Sequence, residues 1–201
     1  MLAARGGTAK LGAPALGGRR MTPFEFIFPL FGLLIGLSYA EVLGGLARAI
    51  KAPGEVRIGW LTPLLGLMLL INLTMFWYAS WNFRDAELPT REGLLQMLGM
   101  SGAYYLAASM LFPQAVEPGF DLDRHFMDNK RVAMLAIAAC NTFGLAVYGA
   151  ERDWAVGPIW WVINGIFLAV LVATALTRSG RIALAGLLLL VGVHVLGLFV
   201  R

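Results

Sequence analysis

Charge is scarce in this chain: Asp, Glu, Lys and Arg make up 14% of its 201 residues, where soluble domains carry roughly a quarter. Too little polar surface remains to solvate a sizeable soluble domain. Cysteine occurs once, at Cys140, which excludes an intrachain disulfide and identifies no redox compartment. Histidine occurs twice, at His125 and His194, which narrows metal and haem chemistry before any motif is sought. There is no phosphate-cradling glycine loop, no zinc-ligand spacing and no nucleophile elbow. Accordingly no cofactor and no metal is indicated.

What is abundant is apolar surface, at 59% of residues with a mean hydropathy of +0.73. It is gathered into long runs separated by short polar turns. Lipid admits only helices or closed barrels, and continuous apolarity rather than ten-residue alternation selects helices. The expected fold is therefore all-α, a polytopic membrane helix bundle of about six transmembrane helices. The spans fall at about 24–47, 60–81, 93–112, 131–148, 158–176 and 182–200, as one transmembrane domain from residue 21 to 201. No internal repeat argues for an inverted-repeat transporter. Residues 1–20 hold Arg5, Lys10, Arg19 and Arg20 and no acid; they read as a flexible basic tail or leader ahead of a second plausible start at Met21. A cleaved signal peptide fits poorly, because the apolar run after Arg20 exceeds a usual h-region.

The excess of cations sits at the ends of apolar runs, as topology signals do, and does not point to nucleic acid. Arg48, Lys51, Arg57, Arg124, Lys130, Arg131, Arg178 and Arg181 fall in the odd-numbered loops; Arg84, Arg91, Arg152 and Arg201 fall on the other side. This favours cytoplasmic odd loops and external termini, although the basic tail argues the opposite way. Trp77, Trp81, Trp154, Trp160 and Trp161 are expected together at the face opposite the odd loops.

The first span organises the reading. Gly32, Gly36, Ala40 and Gly44 recur every fourth residue, so they share a helix face and admit close approach of another helix. Beside them Glu41 lies about seven residues, ~10 Å, inside the end marked by Arg48. A carboxylate there needs a proton, a partner or water. It is either a proton- or cation-handling group or a structural acid bonded to a neighbouring helix. Asn72, Asn141, Asn164 and His194 complete a possible intramembrane polar site, most simply as hydrogen-bond partners between helices.

The densest polar run is FDLDRHFMDNKR, residues 120–131. Asp121, Asp123 and His125 suggest a divalent-metal or nucleotide-sugar site. The more economical reading is an amphipathic helix entering the fourth span, with Asp121 near its N-terminus and Asp121, Arg124, Asp128 and Arg131 forming an ion-pair ladder. Haem ligation by both histidines is disfavoured, since the rise per residue sets them at different depths. Cys140 has no base at hand and reads as packing.

The stretch from Met21, MTPFEFIFPLFGLLIGLSYAEVLGGLARAI, and the FDLDRHFMDNKR loop together resemble an uncharacterised group of small six-helix bacterial inner-membrane proteins. The resemblance implies a multi-pass protein of a bacterial inner membrane and no activity. Three functions remain open. The first is a non-enzymatic accessory or assembly subunit, whose partners are the lipid bilayer and other membrane subunits or its own copies. The second is an oligomeric channel or transporter using Glu41. A membrane enzyme is weakest, because no two catalytic groups share a depth.

Overall fold

A computed structural model of the chain describes residues 23–52, 56–81, 91–115, 117–150, 154–155 and 157–199. The basic tail, and with it the reading of residues 1–20, lies outside the described residues. The described chain is helical: α1 (Pro23–Lys51), α2 (Leu61–Ser80), α3 (Arg91–Ser109), α4 (Leu122–Ala150), α5 (Pro158–Leu176) and α6 (Gly180–Phe199). By length and composition α1, α2, α4 and α5 are long and apolar enough to cross a membrane, and α6 adds a shorter apolar stretch, Gly180–Val195. The amphipathic lead and the fourth span are one continuous helix, α4, of 29 residues.

Contacts at the helix ends fix the directions. Phe24 and Phe28, opening α1, lie 6.2 and 4.2 Å by ring centroid from Trp81 and Trp77, closing α2. These two helices are thus antiparallel. The start of α2 meets the start of α4, where the Thr62 hydroxyl donates to the Leu122 carbonyl at 3.0 Å, so α2 and α4 are parallel. It follows that α3 must cross back between them, although it opens on the charged Arg91 and Glu92. At its far end α4 meets α5, where the Tyr148 and Trp160 rings stack 4.9 Å apart. The end of α5 returns to Lys130, near the start of α4. Loops one, three and five therefore share one face. The tryptophans at 77, 81, 154, 160 and 161 gather at the other.

At the centre stands α2, which touches α1, α3, α4 and α6. Its Leu65, Met68, Leu69 and Leu73 are almost wholly buried, together with Met134 and Ile137 of α4 and Leu187 of α6. Burial on several sides explains why this helix is apolar all round rather than striped. In α1 the buried positions are Phe31, Ile35, Ser38, Val42, Gly45 and Ala49, a spacing near 3.5 that forms one narrow seam. A Cβ at Gly45 would lie 2.3 Å from Phe112, so only glycine lets the α3–α4 turn fold against α1 here. The α4 axis leans. Thr62 to Asn72 is ten residues, about 15 Å of α2, whereas Leu122 to Asn141 is nineteen, about 28 Å of α4, yet both pairs meet.

Candidate functional site

Three charged side chains of the 120–131 run each terminate a different helix. Asp121 precedes α4, and its Oδ1 accepts the Arg124 amide at 3.0 Å, an N-cap. The other oxygen of this carboxylate lies 3.9 Å from an Arg57 nitrogen. Asp123 reaches outward instead: its Oδ1 accepts the Leu61 amide at 3.0 Å. The residue before α2, Trp60, makes no side-chain cap of its own, so the cap comes from another helix. Gly59 makes room for it, with φ of 63° and an ideal Cβ position only 2.1 Å from the Asp123 carboxylate carbon. Two backbone hydrogen bonds tie the segments together, Arg57 N–H to Phe120 O at 2.9 Å and Leu122 N–H to Arg57 O at 3.0 Å.

Lys130 completes the set. It is 3% exposed, and its ammonium donates to the carbonyls of Thr174, at 3.0 Å, and Thr177. These carbonyls end α5, where the helix dipole is negative and orphan acceptors accumulate. A buried cation with two acceptors at a helix C-terminus offsets part of its desolvation cost. The acidic pair and the lysine are thus aimed at separate helix termini rather than at a shared ligand, and among the described residues no group of three His, Cys, Asp or Glu is placed to hold a metal ion. The ion-pair ladder is cut at its first member, because Asp121 stands before the helix and turns to the Arg124 amide and Arg57. His125 Nδ1 lies 3.3 Å from Asn129 Nδ2, while its buried Nε2 has no hydrogen-bond partner among the described residues.

A second polar group lies deep in the bundle. Asn72 of α2, Asn141 of α4 and His194 of α6 come together: Asn141 Nδ2 donates to Asn72 Oδ1 at 3.1 Å, and Asn72 Nδ2 is 3.3 Å from His194 Nε2. The histidine tautomer follows from its partners. His194 Nδ1 faces the Leu190 carbonyl at 3.1 Å, an acceptor, so Nδ1 carries the hydrogen and Nε2 accepts from Asn72. The Phe167 ring meets the imidazole edge-on at 4.8 Å. Three helices are thereby joined by an uncharged chain of hydrogen bonds, about 21 Å along α6 from its start.

The other residues singled out from sequence do not join this centre. Asn164 bonds to Trp160 O, one turn back on its own helix. Glu41 lies on α1, where its carboxylate is 3.9 Å from Arg48 and the two side chains are 38% and 46% exposed. Its partner is thus a cation two turns along the same helix, not a group from a neighbouring one. Gly44, between them, is the floor of this pair: its ideal Cβ would stand 3.5 Å from an Arg48 nitrogen. An ideal Cβ at Gly32 would stand 3.3 Å from Trp77, whereas one at Gly36 would meet no atom of a neighbouring helix within 4 Å, and Ala40 is exposed. The Cys140 thiol is buried and 3.6 Å from the Met100 carbonyl.

Lys130 escaped the sequence reading, which counted it among the topology cations. The signal was present: Leu122, Phe126, Lys130, Ala133 and Ile137 follow a helical stripe that is otherwise apolar.

These features define a multi-pass helical membrane bundle, capped at one face by charged side chains and joined at depth by an uncharged polar centre. No family model matches the chain, and neither a curated protein nor a solved structure is significantly similar to it.

Proposed function

We propose that this protein is a non-enzymatic accessory or assembly subunit of a bacterial inner-membrane complex, docking a transmembrane helix of its partner on the outer face of α1. The observation that carries the reading is the division of α1 into two faces. Phe31, Ile35, Val42 and Ala49 are spent inside the chain, while Gly36 and Ala40 remain exposed, with open space at Gly36. Small residues at four-residue spacing are what close helix pairs in lipid use. Next to them the Glu41–Arg48 pair is half-exposed within a membrane-spanning helix, a costly position that a partner helix would relieve. The bacterial inner membrane rests on the resemblance carried by the stretch from Met21 and by residues 120–131.

The alternative of an oligomeric channel or transporter uses the same face. If the partner is a further copy of this chain, the Glu41–Arg48 pairs converge at the subunit boundary. A photo-crosslinking residue placed at Gly36 or Ala40 in the native membrane tests both. Adducts at 36 and 40 but not at Ile166, exposed on α5, are expected. An adduct of another protein supports the subunit reading, and a multiple of the chain mass supports the channel. Absence of protein adducts at 36 and 40, or equal yield at 166, overturns the assignment of this face.

A further inference from the structure

The face shared by loops one, three and five holds an open cleft of about 820 Å³, bounded by Trp60, Asp123, Arg124, Arg178, Arg181 and Leu184. Neither the capping nor the polar centre uses the side chains of its three arginines. All three are exposed, and among the described residues no ion pair or hydrogen bond engages their guanidinium groups. The acid in the cleft, Asp123, already serves the Leu61 amide. From the structure we infer that this cleft binds a phosphate group, as carried by an anionic phospholipid headgroup or by a free phosphate.

Several features converge on that chemistry. Guanidinium groups match phosphate oxygens in pairs of parallel hydrogen bonds. Helix α6 begins inside the cleft at Gly180, and the Ala183 amide, bonded to Ser179 O at 3.0 Å, makes the first bond of its ladder. The amides of Gly180, Arg181 and Ile182 precede that bond, and Gly180 and Arg181 line the cleft, which places the positive end of the helix dipole at its wall. The rim is amphipathic: Trp60 is 72% exposed at the start of a spanning helix, where an indole suits the headgroup layer, and Met127 and Leu184 continue the wall apolar. A basic pocket between helix ends with an apolar wall is suited to an anionic headgroup. The cleft is also held in shape. Lys130 fixes the end of α5 through the Thr174 and Thr177 carbonyls, one residue before Arg178, and Asp123 fixes the start of α2.

The test uses the full chain in detergent, with native mass spectrometry to count and titrate short-chain phosphatidylglycerol against phosphatidylcholine. Wild type should bind the anionic lipid in preference. The double variant Arg178→Gln/Arg181→Gln should bind it about thirtyfold more weakly, since each near-surface cation is worth about fivefold toward an anionic headgroup. Arg178→Lys/Arg181→Lys should restore part of the affinity. The control Lys51→Gln/Arg131→Gln removes as much exposed charge from outside the cleft and should change binding little. A competition arm with inorganic phosphate separates the sources: displacement at millimolar concentration identifies a free-phosphate site, and its failure identifies the lipid. Equal loss in the control and cleft variants, or no preference for phosphatidylglycerol together with no binding of phosphate, overturns the inference. Thermal unfolding of each variant, expected to match wild type, separates loss of the site from loss of the fold.

Discussion

Replacing Asn72 by leucine isolates the polar centre, because leucine has the same branched shape and number of side-chain heavy atoms and no hydrogen-bonding group. Asn72 makes two bonds to other helices, accepting from Asn141 and donating to His194 Nε2. Asn141 makes one, together with a bond to Ile137 O on its own helix. Interhelical hydrogen bonds in bilayers average about 0.6 and reach about 1.7 kcal/mol each. Asn141→Leu should therefore cost about 0.6–1.7 kcal/mol. Asn72→Leu should cost about 1–3 kcal/mol, since it also strands a half-buried imidazole nitrogen. The double variant decides the matter. Once Asn72 is gone, Asn141 has no partner across the interface, so its removal should add almost nothing and the cycle should be strongly non-additive. Reversible unfolding in mixed micelles gives the three free energies. Costs that add to within about 0.3–0.5 kcal/mol, or an Asn72 variant no weaker than the Asn141 variant, would refute the shared network.

Lys130→Met should destabilise by about 2–4 kcal/mol, because it strips two charge-assisted bonds from the end of α5 while relieving part of the burial cost of the ammonium; the same unfolding assay reads it, and an unchanged midpoint contradicts the capping role. Asp123→Ala should lower stability by about 1 kcal/mol and accelerate hydrogen exchange at the Leu61 amide; unchanged exchange there shows that the cap is dispensable. Gly45→Leu should prevent or strain folding by more than the usual 1–3 kcal/mol of overpacking, since Phe112 stands 2.3 Å from the ideal Cβ, whereas Gly36→Leu should leave the isolated chain as stable as wild type. Glu41→Gln should be nearly silent in thermal stability, the Arg48 pair being half-exposed. Loss of a measured ion flux in liposomes without unfolding would instead place Glu41 in a conduction path.

The architecture was legible in the sequence because each helix is written locally. Apolar runs of spanning length, Pro-Gly and basic breaks, and the tryptophan clusters suffice for an all-helical membrane bundle. Periodicity also marked residues 120–131 as a helix start. What it left ambiguous was the purpose of Asp121 and Asp123. Two carboxylates two residues apart can also be read as a ligand pair, and their separation into caps of α4 and α2 depends on Leu61, some sixty residues away, arriving beside them. The partner of Lys130 is likewise an α5 terminus more than forty residues downstream. Asn72, Asn141 and His194 were each recognisable as helix-joining groups, yet the sequence placed Glu41 and Asn164 in the same company. Only the rotation of each helix about its axis separated them, turning Asn72 toward α4 and α6 and Glu41 along its own helix toward Arg48. Composition and period decide that a segment is a helix in lipid; which face it turns inward is decided by how six such helices fit against one another, and a single strand of sequence does not contain that geometry.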